Sequence, residues 1–499
     1  MPRRSILVIS LITGISLCSY LLASRLTYAT GFPLDDAWIH QTYARNLVQA
    51  GEWAFLPGVP SAGSTSPAWT LALAAGYWLS LNPLGWAYFL GWGLLAGISL
   101  TGARSMGWLL VDGEKWGIWA GCLLALEWHL VWAAASGMET LAFAFIILLV
   151  LALPVRFDRE ETDPDRGAAG LWQWLGLGVL VGLGVWIRPD GISLLAALGF
   201  TIMLGKYRPE LKLRIVLLVG AGFLVLFIPY LWFNHSLSGS LWPNTLFAKQ
   251  AEYASLREAP FLQRYLVQAR LPLVGVGVML LPGFVWMVVQ SVRQRRVAVL
   301  AGALWVIGYL GIFAWRLPVI YQHGRYVIPT MAVICVWGLA GLLELWQKAK
   351  LSHWPRLLAR AWAVATGIVL ILFWGLGARA YAQDVAVIES EMVETARWVN
   401  DNLPGDALIA AHDIGALGYF GGRSMLDLAG LVSPEVIPFI RDEPAIGNYL
   451  DTQNANYLIT FPGWYPYLTS RASLIYSTDG FFSPQLGGEN MAIYQWGDR

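Results

Sequence analysis

Eleven stretches of this chain, each about 16–23 residues long, carry almost no charge: 6–24, 84–104, 116–135, 139–155, 170–187, 190–205, 213–233, 270–292, 297–315, 326–347 and 358–378. A helix needs roughly 20 such residues to cross the hydrocarbon core of a bilayer, where the backbone has no water to bond to. The expected architecture is therefore an all-α polytopic membrane bundle of about eleven spans. Composition agrees, since charged residues make up 13% of the chain and hydrophobic ones 57%, whereas globular domains are about 25% charged. A disordered chain, a collagen-like fibre and a disulfide-stapled secreted domain are excluded. The three cysteines (Cys18, Cys122, Cys335) lie in apolar runs with no zinc-cluster spacing, and a net charge of +1 gives no ground for a nucleic-acid partner.

Orientation follows from one ambiguous segment. Residues 67–81 (PAWTLALAAGYWLSL) are apolar but short of a span. If they do not cross, the loops on the N-terminal side hold 18 Lys and Arg, Arg166 and Lys350 among them, against nine on the other side. If they cross, every later loop flips and the excess opposes the positive-inside rule. The segment is thus expected as a helix on the outer surface, with the N-terminus cytoplasmic and the C-terminus outside. The MPRR start and its apolar run of about 18 residues are long for a signal peptide, so an uncleaved anchor is expected. A bacterial cytoplasmic (inner) membrane is the simplest setting. Neither a repeat of 20–50 residues nor the paired halves of many transporters is visible.

Two outer loops, about 25–83 and 234–268, and a tail from about 380 to 499 leave the apolar pattern. In the first loop, Asp36–Gln49 has helical character. The tail alternates a helix (Asp384–Asn402) with strand-like runs (Ala407–Ala411, Tyr457–Thr460), which suggests a small extracytoplasmic α/β domain after a membrane domain of 1–379.

Residues able to do chemistry gather on this outer side. Asp35 and Asp36 are adjacent carboxylates just past the first run, where a general base with an orienting or metal-holding neighbour would sit. Helix capping explains one of them, but not both. Glu139 begins a span, where the helix dipole alone also favours an acid. Arg188 and Asp190 flank the turn WIRPDG, which Pro189 and Gly191 would form for structural reasons. Asn244, Lys249 and the stretch Gln322-His323-Gly324-Arg325-Tyr326 are outward too. Cations there run against the positive-inside bias, and an anionic head group would account for them. The tetrapeptide His412-Asp413-Ile414-Gly415 matches the HDIG motif of metal-dependent phosphohydrolases. The six His in the chain do not supply the further ligands such a site needs, so it is expected to be a structural turn.

Taken in order, the Asp pair, YARNL (43–47), the PG…GSTSPAW stretch, SGMET (136–140), RPDG (188–191), WPNTLFAK (242–249), QHGRYVIP (322–329) and AAHDIGALGYFGGRSMLDLAGL (410–431) resemble the GT-C superfamily of membrane glycosyltransferases, on the branch around bacterial arabinofuranosyltransferases and mannosyltransferases. The resemblance implies a polyprenyl-phosphate sugar donor and a glycan, lipid or protein acceptor in the cell envelope. It implies Asp35 as catalytic base, with Asp36 supporting it or holding a divalent cation (Mg, Mn or Ca) that is not required. Lys249, Arg325, His323 and Arg188 would hold the donor phosphate, with Asn244, Glu139, Asp190 and Arg45 of YARNL completing the substrate site. The stretch WIHQTYARNL departs from the pattern, which has an aromatic and an Arg before YARNL, and this touches sugar specificity. A transporter or flippase of an anionic lipid-linked sugar is the competing class; transporters usually place charges at the bilayer midplane on broken helices, whereas here they crowd the outer rim.

Overall fold

The computed structural model describes residues 1–160, 167–348 and 353–497. Arg166 and Lys350, both in the charge count above, lie outside these residues.

Among the described residues, nine helices are long and apolar enough to cross a membrane. In chain order, the helices from the N-terminus are α1 (Arg3–Thr27), α2 (Asp36–Ala50), α3 (Pro67–Trp78), α4 (Pro83–Leu109), α5 (Gly117–Leu126), α6 (Trp128–Ala135), α7 (Thr140–Glu160), α8 (Gly167–Ile187) and α9 (Leu194–Leu204). They continue as α10 (Pro209–Ser238), α11 (Asn244–Glu252), α12 (Phe261–Arg270), α13 (Val276–Gln294), α14 (Val297–Arg316), α15 (Met331–Lys348), α16 (His353–Val387) and α17 (Glu394–Asn402). The protein is an integral membrane protein built as an α-bundle with a small sheet near its C-terminus.

Three boundaries differ from the sequence expectation. The run 116–135 is two helices bent by 56°. Glu127 sits at the break, and its carboxylate caps α6 through the Leu130 amide (2.9 Å) while accepting from His129 Nδ1 (2.8 Å). A polar cap inside an apolar run ends one helix and starts the next. The run 190–205 is a 3-10 turn, Pro189–Ser193, followed by the 11-residue α9, which is short for a span on its own. At the other end, the last span and the tail's first helix are one rod of 50 residues, from His353 to Asn402. It passes the expected boundary at 379/380 without a break, through a π-helical stretch at Ile388–Val393. The stretch ARAYAQ has no Gly or Pro to stop it, and a change from apolar to polar surface does not end a helix.

Close helix pairs use small residues, as lipid-embedded bundles do. A Cβ on Gly283 would lie 2.0 Å from the Gly338 carbonyl oxygen, and one on Gly178 2.2 Å from that of Val219. These glycines let α13 meet α15, and α8 meet α10, backbone to backbone.

The tail sheet has the order β4-β3-β5-β7-β6, with β3 (Leu408–Ala411), β4 (Ser424–Asp427), β5 (Tyr457–Thr460), β6 (Ser473–Ser477) and β7 (Ala492–Gln495); β1 (Ala54–Leu56) and β2 (Val59–Pro60) form a separate hairpin in the first loop. Strand β3 pairs in parallel with β4 and β5, so the chain crosses over after each and leaves its turns at one end. The sheet is tied to the rod by Glu391, whose buried carboxylate accepts from the Met491 amide (2.9 Å) and from Thr478. The turn after β3 is the HDIG tetrapeptide, and this architecture brings it over the start of α2.

Candidate active site

The Asp pair divides between two tasks. Asp35 occupies the position before α2, but its backbone is already helical (φ −62°, ψ −36°) and its side chain caps nothing. Its carboxylate instead accepts from the amides of Gly415 (2.6 Å) and Ala416 (2.8 Å), up to 381 residues away in sequence. Asp36 faces the other way, accepting from Arg325 Nη2 at 2.5 Å and Lys249 Nζ at 3.5 Å. The environments push their acidities apart. Burial and the nearby charge of Asp413 push Asp35 up to about 8, against the pull of the two amides. Burial acts in the same direction on Asp36, but Arg325 and Lys249 outweigh it and hold the carboxyl far below the usual range. One carboxyl is thus poised near neutrality and the other is locked as an anion, the pattern in which acid–base roles separate.

Three cations surround one ring. Lys249 comes from α11, Arg325 from the turn before α15, and Arg188 from the end of α8. Their charged groups lie 5.7, 5.0 and 5.3 Å from the centre of the Tyr326 ring. The Tyr326 hydroxyl accepts from Lys249 (3.1 Å) and Arg325 (3.0 Å). Arg188 pairs with Asp190 at 3.0 Å and lies 3.8 Å from Glu139, whose other oxygen is 3.6 Å from His40 Nε2. Asp190 also accepts from Tyr309 (2.7 Å). Among the described residues, Arg325 Nη1 is buried with no hydrogen-bond partner. A guanidinium nitrogen left so is costly unless an anion completes it.

Asp36, Glu139, Arg188, Asp190, Lys249 and Arg325 all line one narrow cavity of about 110 Å³, whose apolar wall includes Met138, Leu246, Ile312 and Phe313. A second, larger chamber of about 710 Å³ lies under the tail; Asp35, Glu252, His412, Asp413 and Trp464 line it. Asp36, Ile39, Lys249, Arg325 and Leu431 line both and form the partition.

Other predicted residues are placed elsewhere. His323 lies on neither cavity; its Nε2 bonds Asp384 of the rod (2.7 Å) between the edges of Trp128 and Trp132. Its φ of +56°, beside Gln322 at +54°, marks a strained turn that sends the next side chain, Arg325, to the partition. Arg45 fastens α2 to the tail, donating to the carbonyls of Tyr419 (2.7 Å) and Gly418 (3.2 Å) and covering the Tyr419 ring. Asn244 begins α11 and is buried on neither cavity wall. A divalent cation at Asp36 would share the carboxylate with Arg325 and Lys249, both of which engage Oδ2. Among the described residues, no group of three or more His, Cys, Asp or Glu is placed to hold a metal.

The HDIG turn, expected as purely structural, is a wall of the site. His412 donates or accepts with Tyr465 (2.7 Å) and pairs with Glu252 (3.2 Å), joining the tail to α11. Gly415 is required by close approach: a Cβ there would lie 2.0 Å from the Asp35 carbonyl oxygen. Gly415→Ala is expected to displace the turn from Asp35 and cost about 1–3 kcal/mol, seen as a lower melting temperature and faster proteolysis of the tail. Gly421→Ala, where the nearest atom would be 3.6 Å away, is the control; equal behaviour of the two variants would show that the turn is not held there. The signal available in sequence was the glycine spacing of GALGYFGG, which marks a tight turn but not its partner. His40 was also readable, four residues after Asp36 and so on the same helix face.

Comparison with known proteins places this geometry in context. Residues 378–494 match a family described as a domain of unknown function (DUF8728). No curated protein sequence matches the chain. Among solved structures, the chain is similar to ArnT from Cupriavidus metallidurans bound to undecaprenyl phosphate, at 16% identity over 97% of both chains with a TM-score of 0.61. It is also similar to the oligosaccharyltransferase of Archaeoglobus fulgidus, at 12% identity over 92% of this chain and 69% of that one, TM-score 0.65. A mycobacterial arabinofuranosyltransferase, AftD, covers all of this chain with 40% of its own length at 15% identity and a TM-score of 0.50. The chain shares the fold of these structures, the GT-C fold.

Proposed function

We propose that this chain is an inverting glycosyltransferase that moves a sugar from a polyprenyl-phosphate donor to a hydroxyl of a cell-envelope glycan, lipid or protein. The reaction would take place at the extracytoplasmic face of a bacterial inner membrane. One observation carries the reading: Arg325 keeps a buried, unpartnered nitrogen in a cavity it shares with Lys249 and Arg188, one partition away from Asp35. An anion completes the first group and a base serves the second. Arg188 and Glu139 adjoin the helix ends at Ile187 and Thr140, and Arg325 lies in the turn that precedes α15, which favours chemistry at an interface over passage through the bundle. The similarity to ArnT bound to undecaprenyl phosphate supports the donor class.

In this mechanism the acceptor hydroxyl gives its proton to Asp35 as its oxygen attacks the anomeric carbon. The bond from that carbon to the donor phosphate oxygen breaks on the opposite face, and the electron pair leaves with the phosphate. Arg325 and Lys249 receive the charge that develops there, a contribution of several kcal/mol in a site that excludes water. Asp36 acts as a positioning residue, fixing both cations while remaining ionised. Two of the lone pairs on Asp35 accept amides, and a carboxylate has about four, so capacity for a proton remains.

The test uses purified protein with a panel of polyprenyl-phosphate sugars, following free polyprenyl phosphate by mass spectrometry. Release from one donor is the expected result; no release and no donor-dependent thermal stabilisation would count against the reading. Because Asp35 must be ionised to act, the rate should rise with pH up to about 8 and then level off. Asp413→Asn removes the like charge beside it and should move that rising limb to lower pH. A limb that stays in place would separate Asp35 from the rate-limiting proton transfer.

A further inference from the structure

The larger chamber holds groups that the mechanism does not use. Its tail wall carries Trp464, which is 50% exposed and held edge-on by the His412 ring at 5.2 Å. Tyr253 and Tyr321, whose rings are 5.5 Å apart, line the same chamber. A large aromatic side chain left half in water at a cavity mouth is a stacking surface without its occupant.

The polar groups narrow the occupant. Two cations on the chamber wall pair with carboxylates, His412 with Glu252 and Lys249 with Asp36, while the exposed Arg441 gives one bond to the Glu252 carbonyl. Arg325 also bonds Asp36, and its spare nitrogen belongs to the partition shared with the narrow cavity. On the tail side one carboxylate oxygen, Asp413 Oδ2, is buried with no hydrogen-bond partner among the described residues. An ionised carboxylate only accepts hydrogen bonds, so its missing partner is a donor and not an anion. Flat apolar surface beside an unfilled acceptor fits the C–H face and hydroxyl edge of a sugar ring.

We propose that the chamber is an acceptor site for a neutral carbohydrate chain, with Trp464 as its stacking platform and Asp413 as the group that receives a hydroxyl of the sugar being extended. This rests on the transferase reading above and deepens it, since it selects a glycan over a lipid or protein acceptor. It also gives the tail a task. On the donor side the tail lines the narrow cavity with Leu431; on the chamber side it brings the acceptor ring over the partition, where the adjacent Asp35 takes the proton.

The experiment measures binding to full-length protein in detergent micelles by saturation-transfer NMR and calorimetry. The probes are neutral mannan, arabinan, galactan and glucan oligosaccharides, phosphatidylglycerol, and undecaprenyl phosphate. Binding of at least one oligosaccharide is expected, weakened about tenfold by Trp464→Ala and much less by Trp464→Phe, which keeps a ring. Undecaprenyl phosphate should bind both variants like the native protein, which also shows that they are folded. Oligosaccharide binding unchanged in Trp464→Ala, or binding of phosphatidylglycerol but of no oligosaccharide, overturns the acceptor site. Undecaprenyl phosphate binding with no oligosaccharide binding also overturns it while leaving the transferase reading standing. Failure of both probe classes removes the transferase reading, and the acceptor site with it.

Discussion

Asp35→Asn is expected to lower the transfer rate by about 10²–10⁴, the usual cost of removing a general base, while undecaprenyl phosphate binds as before. The asymmetry follows from position. Asp35 lines the chamber on the acceptor side, while Lys249 and Arg325 pair with Asp36. The substitution keeps one oxygen to accept an amide of the HDIG turn but sets an NH2 group against the other amide. A small loss of stability should therefore accompany the loss of rate, and the melting temperature must be measured beside it. Near-native transfer by a folded Asp35→Asn protein would take the base role from this residue. Asp413 would then be the next candidate, because it lines the same chamber with a free oxygen.

The second large effect is expected from Arg325→Ala. It deletes the closest partner of Asp36 (2.5 Å) and the unpaired nitrogen assigned to the donor phosphate. Transfer should fall by about 10²–10³, the scale of losing one preorganised charge-stabilising donor, and undecaprenyl phosphate should bind more weakly. Arg325→Lys restores a charge but not the two-pronged geometry, so it should recover only part of either quantity. The structural cost is buffered by Lys249, which still neutralises Asp36. If Arg325→Ala bound undecaprenyl phosphate with native affinity, the narrow cavity would not be the phosphate site. The comparison with Asp35→Asn is informative as a pair: one variant should lose turnover with donor binding intact, the other should lose both.

Much of this site was readable because a membrane simplifies geometry. Apolar runs of span length confine loop residues to two faces, so acids and cations at the ends of alternate runs meet on one side. Asp36, Glu139, Arg188, Asp190, Lys249 and Arg325 are far apart in sequence yet line one cavity. Local patterns also held: α2 starts at Asp36, and β5 covers Tyr457–Thr460. What escaped was set by partners that no local pattern encodes. The HDIG turn looks like punctuation until Asp35 is placed against its amides. His323 looks like a phosphate ligand until Asp384 on the rod claims it. The break at Glu127 lies within an apolar run whose average hides a single capping carboxylate. Arg45 sits in a motif that resembles a substrate contact, but its fork reaches backbone carbonyls of the tail instead.

The contact between Asp35 and residues 415–416 also has a meaning in time. Translation delivers Asp35 after the first span and Gly415 only after the last, so the two meet only once every span between them has been made. Until then a nascent chain can hold its acids and cations in the bilayer, but the larger chamber has no roof and the carboxylate no amides. A chain that stops before β3 lacks the two amides that hold the Asp35 carboxylate, and lacks the tail residues that wall the larger chamber.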